Sequence, residues 1–166
     1  MTGILLLFVV AIWAVVAYAL TKVIALKMPT GRWQLPASIG VFLVLFALPF
    51  LDEVVGTFQF QQLCREHSGI RLDRAKASGK TVYATTASHE DIRGTAVRMV
   101  LQPVRFVETT SGEPVMSYNG LTAYGGWFIR TLGISEGNKP LLFRGSCWPR
   151  ETDRLIKEMN ITVVRR

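Results

Sequence analysis

Two cysteines, two histidines and one pair of adjacent acids are the residues of this chain best suited to chemistry. Cys64 and Cys147 are its only cysteines. In an oxidising compartment their pairing would tie two distant parts of the chain together. Closing a loop of that length stabilises a fold by ~4 kcal/mol in the chain-entropy model. Free buried thiols are a second reading. A metal site is a third, because Cys64 and His67 share one helical face and His89 with Cys147 would complete four ligands. The second half of that set lacks the close paired spacing of zinc motifs. The disulfide is the favoured expectation, and no metal or cofactor is assigned.

Asp52 and Glu53 are neighbours in sequence, so on a helix they diverge by ~100° and do not make a catalytic carboxylate pair. They read instead as a hydrated boundary where a helix leaves the membrane, or as a partner's docking point. Gly79-Lys80-Thr81 resembles the end of a phosphate-binding loop, but Arg74 stands where the first glycine belongs and a strand pattern follows. Ser146 has no Gly-x-Ser-x-Gly frame around it. Each histidine reads as a surface residue before it reads as a base. No catalytic residue is assigned, and the chain is expected not to be an enzyme.

Tyr124-Gly125-Gly126-Trp127-Phe128-Ile129-Arg130 is the most unusual stretch. Its glycines allow a turn or a close backbone approach. Core packing of Trp127 is the favoured reading. The other places Trp127 and Phe128 at a membrane surface or in a partner's hot spot, with Arg130 at the headgroups. The candidate interaction residues are therefore Asp52, Glu53, Trp127, Phe128 and Arg130.

The elements that must position these residues begin in lipid. Apolar residues make up 49% of the 166 and mean hydropathy is +0.29, with the excess in the first fifty residues. Gly3 to Leu20 is an unbroken apolar run, sufficient for a span of ~20 residues. Without a basic n-region it reads as a retained helix rather than a cleaved signal peptide. Met28-Pro29-Thr30-Gly31 reads as a turn, Trp33 suits the headgroup level, and Pro36 suits a helix start. Ala37 to Leu51 is short for a span, so either the bilayer thins or the helix continues through Val54, Val55 and Phe58. Ala11, Ala14, Gly40 and Ala47 would let the helices pack closely, and Pro49 would kink the second. The expected architecture is a two-helix transmembrane hairpin in residues 1–58, with spans near 3–22 and 36–56. A small α+β domain with an antiparallel sheet follows in residues 59–166.

Of the formal charge of +7, Lys22, Lys27 and Arg32 lie between the spans with no acid among them. This bias places loop 23–35 in the cytoplasm and both termini and the domain in a bacterial periplasm, the opposite topology being the alternative. The remaining bases are scattered as a solvated face would scatter them, so no nucleic acid is expected. The partners expected are the lipid bilayer and another membrane or envelope protein, or a second copy of the chain.

In the domain, the helix leaving the membrane is expected to end near His67 at Ser68-Gly69. Thr81 to Thr86 reads as a strand, and Ser88 to Leu101 as a capped helix weakened by Gly94. Val104 to Thr110, Ser111-Gly112 and Pro114 to Tyr118 read as a hairpin. Asn119-Gly120 signals a further turn or a bulge. Leu141 to Cys147 reads as a strand, Pro149 opens a helix with Leu155, Ile156 and Met159 on one face, and Ile161 to Val164 closes as a strand.

Asp52-Glu53-Val54-Val55-Gly56, Phe60-Gln61-Gln62-Leu63-Cys64, the turn at Ser111-Gly112-Glu113, Tyr124-Gly125-Gly126-Trp127 and Cys147 together form a pattern. With it the chain resembles a loosely defined set of uncharacterised bacterial two-span inner-membrane proteins, often carried by prophages and mobile elements. The resemblance implies a class and a bacterial host, with no mechanism attached. The expected function is non-enzymatic: a periplasmic domain that binds another envelope protein, in exclusion or immunity. The alternative is an accessory subunit of a larger membrane complex, and a metal-dependent enzyme built on Cys64, His67, His89 and Cys147 is the third.

Overall fold

A computed structural model describes residues 2–28, 31–133 and 136–164. Two long apolar helices come first. Helix α1 runs Thr2–Leu26. Helix α2, Gln34–Ala47, passes through a 3-10 turn at Leu48–Phe50 into α3, Leu51–His67. Pro36 sits in the first turn of α2, where its missing N–H has no carbonyl to serve. Pro49 cannot donate back along the helix, and there the coil tightens rather than ending. The second rod is therefore helical from Gln34 to His67, 34 residues. At 1.5 Å per residue it is ~50 Å long, well beyond one hydrocarbon thickness. The first rod and this one are both long and apolar enough to cross a membrane. The turn expected at Pro29-Thr30 lies outside the described residues.

The two rods pack through Ala17 and Thr21, both buried, and through Trp13, whose indole N–H donates to the Phe46 carbonyl at 3.3 Å. Ala14 is half-buried, while Ala11, Gly40 and Ala47 face outward. The close-packing residue is thus Ala17, with Thr21 returning its hydroxyl proton to the Ala17 carbonyl at 2.7 Å.

The domain is built on one long hairpin, β4 (Met99–Glu108) and β5 (Pro114–Ala123). Shorter strands complete its edges: β1 (Arg71–Leu72), β2 (Thr81–Thr86), β3 (Glu90–Ile92), β6 (Ser146–Cys147) and β7 (Thr162–Val164). β1 and β6 flank β5, and β2 and β3 flank β4, all antiparallel. β7 pairs parallel with β2, so the sheet is mixed and the expectation of a purely antiparallel one is corrected. Helices α4 (Arg74–Ala77), α5 (Trp127–Leu132) and α6 (Thr152–Glu158) complete the elements.

Pairing explains why Pro103 is tolerated inside β4. Its carbonyl accepts from Ala87 N–H at 3.1 Å, so its nitrogen faces the same edge. There the neighbour changes from β2, which ends opposite Val104, to β3, which begins opposite Leu101. The missing donor falls in the gap between them.

The two sheet faces carry separate cores. Met99, Leu121 and Ala123 lie under Phe60 of α3, with Val97. Val104, Phe106 and Met116, of the opposite parity, pack with Val82, Ile161 and the α6 residues Ile156 and Met159 on the other face.

Three expectations fail locally. The helix expected over Ser88–Leu101 is instead β3, a turn with Gly94 at φ +82°, and the start of β4. Pairing of this β-branched segment with β5 outweighs its weak helix propensity. Asn119-Gly120 is not a turn but the middle of β5, where the Trp148 ring occupies the place of a Cβ on Gly120. Of Leu141–Cys147 only Ser146 and Cys147 pair in the sheet. The hairpin at Ser111-Gly112 and the strand Thr81–Thr86 stand as expected, and the last helix forms but begins at Thr152 rather than at Pro149.

Candidate functional site

The acid pair lies where α3 meets the domain, and the domain's backbone converges on it. Leu141 and Leu142 donate their N–H groups to Glu53 Oε2 at 2.9 and 3.0 Å, and Gly126 donates to Oε1 at 3.1 Å. Asp52 Oδ2 accepts from Trp127 N–H at 2.6 Å, and Oδ1 from the Glu53 N–H at 2.9 Å. Glu53 is 1% exposed. The reading of Glu53 as a hydrated boundary charge is therefore corrected: its carboxyl group is buried, and three backbone N–H groups of the domain hold it there. Together the two acids satisfy N–H groups that open α5 and the Leu141 turn, groups with no intrahelical acceptor of their own.

The glycine pair makes this approach possible. A Cβ on Gly126 would overlap the Asp52 carboxylate, and one on Gly125 would press on the Asn138 and Lys139 carbonyls at 3.0 Å. One step along, Phe128 is 8% exposed. Its ring meets Trp13 at 6.2 Å and Phe50 edge-on at 5.5 Å, extending the column Phe42, Phe46, Phe50 of the second rod. Phe128 is thus core between anchor and domain, not a surface anchor for a partner. Trp127 is the reverse of its favoured reading: it is 53% exposed, and among the described residues its ring packs edge-on against its neighbour Phe128. Arg130 is exposed on the same helix.

Further along α3, Gly56 lies against Val97, and Gln59 accepts the Ala96 N–H at 2.7 Å. Along the second rod, contacts with the domain thus begin at Phe50, before the boundary expected at residue 58, and Trp13 of the first rod also touches it. Cys64 and Cys147 are joined as a disulfide, with Cα atoms 6.0 Å apart. Cys147 sits opposite Leu121, on the α3 side of the sheet. Trp148, next in sequence, points to the other face, over Gly120 and edge-on to Tyr118 at 6.3 Å. Burial there, with Asp153 adding to it, raises the Tyr118 pKa.

The remaining candidates are dispersed. With each sulfur bonded to the other, the cysteines offer no thiolate to a metal, and no metal-holding group of three or more His, Cys, Asp or Glu occurs among the described residues. His67 Nδ1 is 3.1 Å from the Leu63 carbonyl, and His89 is exposed between β2 and β3. Lys80 Nζ pairs with Glu108 at 2.7 Å. Sequence reasoning missed Gln59, Leu141 and Leu142. The latter two act through their backbone, which leaves no mark on side-chain type. The glycines before Trp127 were the available signal.

Beside the disulfide runs a groove of about 990 Å³. Trp148 and the exposed Arg74, Arg144 and Arg150 line it, with Glu151 and Asp153 on the α6 side. Those three arginines have no ion-pair partner among the described residues.

Fold and site define a class: two long apolar helices followed by a small α+β domain with a mixed sheet, fastened to the second helix by an acid clamp and a disulfide. Compared with protein-family models, curated proteins and solved structures, the chain has no match.

Proposed function

We propose that this is a non-enzymatic bacterial inner-membrane protein that presents a rigidly held periplasmic domain to another envelope protein, in exclusion or immunity. One observation carries the reading: the domain is fastened at two heights along one continuous helix, by Asp52 and Glu53 and again by Cys64–Cys147. Such double fastening fixes orientation as well as distance, and a recognition surface that must meet a partner in the same membrane benefits from both. Lys22 near the end of α1, with Lys27 and Arg32 between the rods, supports a cytoplasmic loop 23–35, and the paired cysteines support an oxidising compartment for the domain.

The groove beside the disulfide is the surface we assign to the partner. Trp and Arg are the residue types that dominate interface energetics, and the unpaired arginines favour an acidic segment. A photo-crosslinking amino acid at Arg150, in native membranes, should yield one discrete protein adduct. Arg144→Glu with Arg74→Glu should abolish it while the disulfide stays formed. Persistence of the adduct in the charge-reversed chain, or adducts to lipid alone, would overturn the assignment. An alkaline phosphatase fusion after Arg166 tests the topology, and an inactive fusion refutes it.

A second reading, an accessory subunit of a larger membrane complex, is favoured by Ala11, Gly40 and Ala47 lying outside the hairpin. Another span's backbone could approach there. Gly40→Leu would then dissociate the complex in detergent without unfolding the domain.

A further inference from the structure

We propose that α5 and the Leu141–Leu142 turn form a wedge set into the outer lipid leaflet, so that the domain is embedded in the bilayer surface rather than standing above it. The inference rests on the reading of the two apolar rods as membrane spans. Phe128 fixes the depth of α5, because its ring packs between Trp13 and Phe50. From Trp13, α1 continues toward its N-terminus for another ~13 Å to Ile4. Along that length Ile4, Leu5, Leu7 and Phe8 are exposed. On the second rod, Val54, Val55 and Phe58 are exposed beyond Phe50. A bilayer that covers these side chains also covers the level of α5.

The side chains and the backbone of the segment both suit that level. Trp127 is 53%, Leu132 45%, Leu141 37% and Leu142 50% exposed, on segments held against the second rod at Phe50, Asp52 and Glu53. In lipid no water is available to an unpaired N–H, and each one left over costs several kcal/mol. Here the N–H groups of Gly126, Trp127, Leu141 and Leu142 all end on Asp52 and Glu53. In water those amides would be hydrated without help, and burying a carboxylate to reach them would be a net cost. At the leaflet the same arrangement removes a larger penalty. Arg130, exposed on α5, has a stem long enough to carry its guanidinium to the phosphates. The occupant of this surface is therefore the acyl–headgroup region of phospholipid.

The test uses the full chain in phosphatidylcholine–phosphatidylglycerol liposomes, with its disulfide intact and one added cysteine carrying an NBD fluorophore. The sites are L132C and L142C in the wedge, T110C at the distal hairpin tip, and L43C on α2. Wedge probes should be quenched by nitroxides in the upper acyl chain, with iodide quenching about fivefold weaker than at residue 110, as burial in lipid requires. Iodide quenching at 132 and 142 equal to that at 110, with residue 43 shielded, would overturn the wedge and leave the spans standing. Iodide access at residue 43 as well would overturn the spans, and the wedge with them.

Discussion

Replacing Glu53 by glutamine tests the clamp with almost no change of shape. Glutamine keeps one acceptor oxygen, which can serve Leu141 and Leu142, but it turns an NH2 group toward the Gly126 N–H. Hydrogen bonds to a charged acceptor contribute about 1.5–3 kcal/mol each and neutral ones about 1. At the lower end of those values, weakening two and losing the third removes about 3 kcal/mol, partly offset by relief of the buried charge. The expected net loss is about 2 kcal/mol, or ~6 °C in thermal midpoint. Glu53→Leu leaves all three donors without a partner and should cost about 4 kcal/mol or more. Asp52→Asn, at a half-buried site with one such bond to the domain, should cost about 1 kcal/mol. Thermal unfolding in detergent gives the ranking, and hydrogen exchange of residues 125–132 and 139–143 locates the effect. Wild-type midpoints for both Glu53 variants, with unchanged exchange in those peptides, would refute the role assigned to Glu53.

Three further outcomes follow from the geometry. Gly126→Ala drives a methyl into the Asp52 carboxylate and should lower the midpoint by several degrees, whereas Gly69→Ala, with nothing within 4 Å, should be neutral by the same scan. Cys64→Ser with Cys147→Ser opens a loop of 83 residues and should cost about 4.5 kcal/mol in the chain-entropy model, read from denaturant midpoints against the oxidised parent. Acid should loosen the sheet: the Arg98 hydrogen bond lowers the Asp91 pKa and the Lys80 hydrogen bond lowers that of Glu108. A carboxylate with a depressed folded pKa stabilises above its unfolded pKa of about 4, and the gain disappears as pH falls through the folded value. Asp91→Asn with Glu108→Gln should flatten the midpoint's dependence on pH in that window.

Much of the fold was legible because local chemistry and pairing agree. Thr81–Thr86 is β-branched and bounded by Gly79, and Ser111-Gly112 supplies the φ of +73° that its hairpin needs. The cysteine pairing was legible too, as a choice among alternatives. What the sequence concealed is set by distant partners. Ser88–Leu101 carries a helix start signal, yet its final residues complete the register of β5. Asn119-Gly120 has the composition of a turn, but the glycine is there for the Trp148 ring. Asp52 and Glu53 looked like flanking charge because their acceptors are filled by backbone donors, and backbone has no sequence signature. Core packing was expected of Trp127 and belongs instead to Phe128, since adjacent helical residues point ~100° apart and only one of them can face Trp13.

The clamp also has a history in time. Glu53 leaves the ribosome 88 residues ahead of Leu141, and Cys64 precedes Cys147 by 83. At about 5–20 residues per second, several seconds pass in which the carboxylate has no donors and the first thiol no partner. The second rod is therefore complete, with its acid unsatisfied, before the groups that satisfy it exist. Synthesis of the second rod and closure of the domain upon it are separate events in the life of this chain, and Glu53 takes part in both.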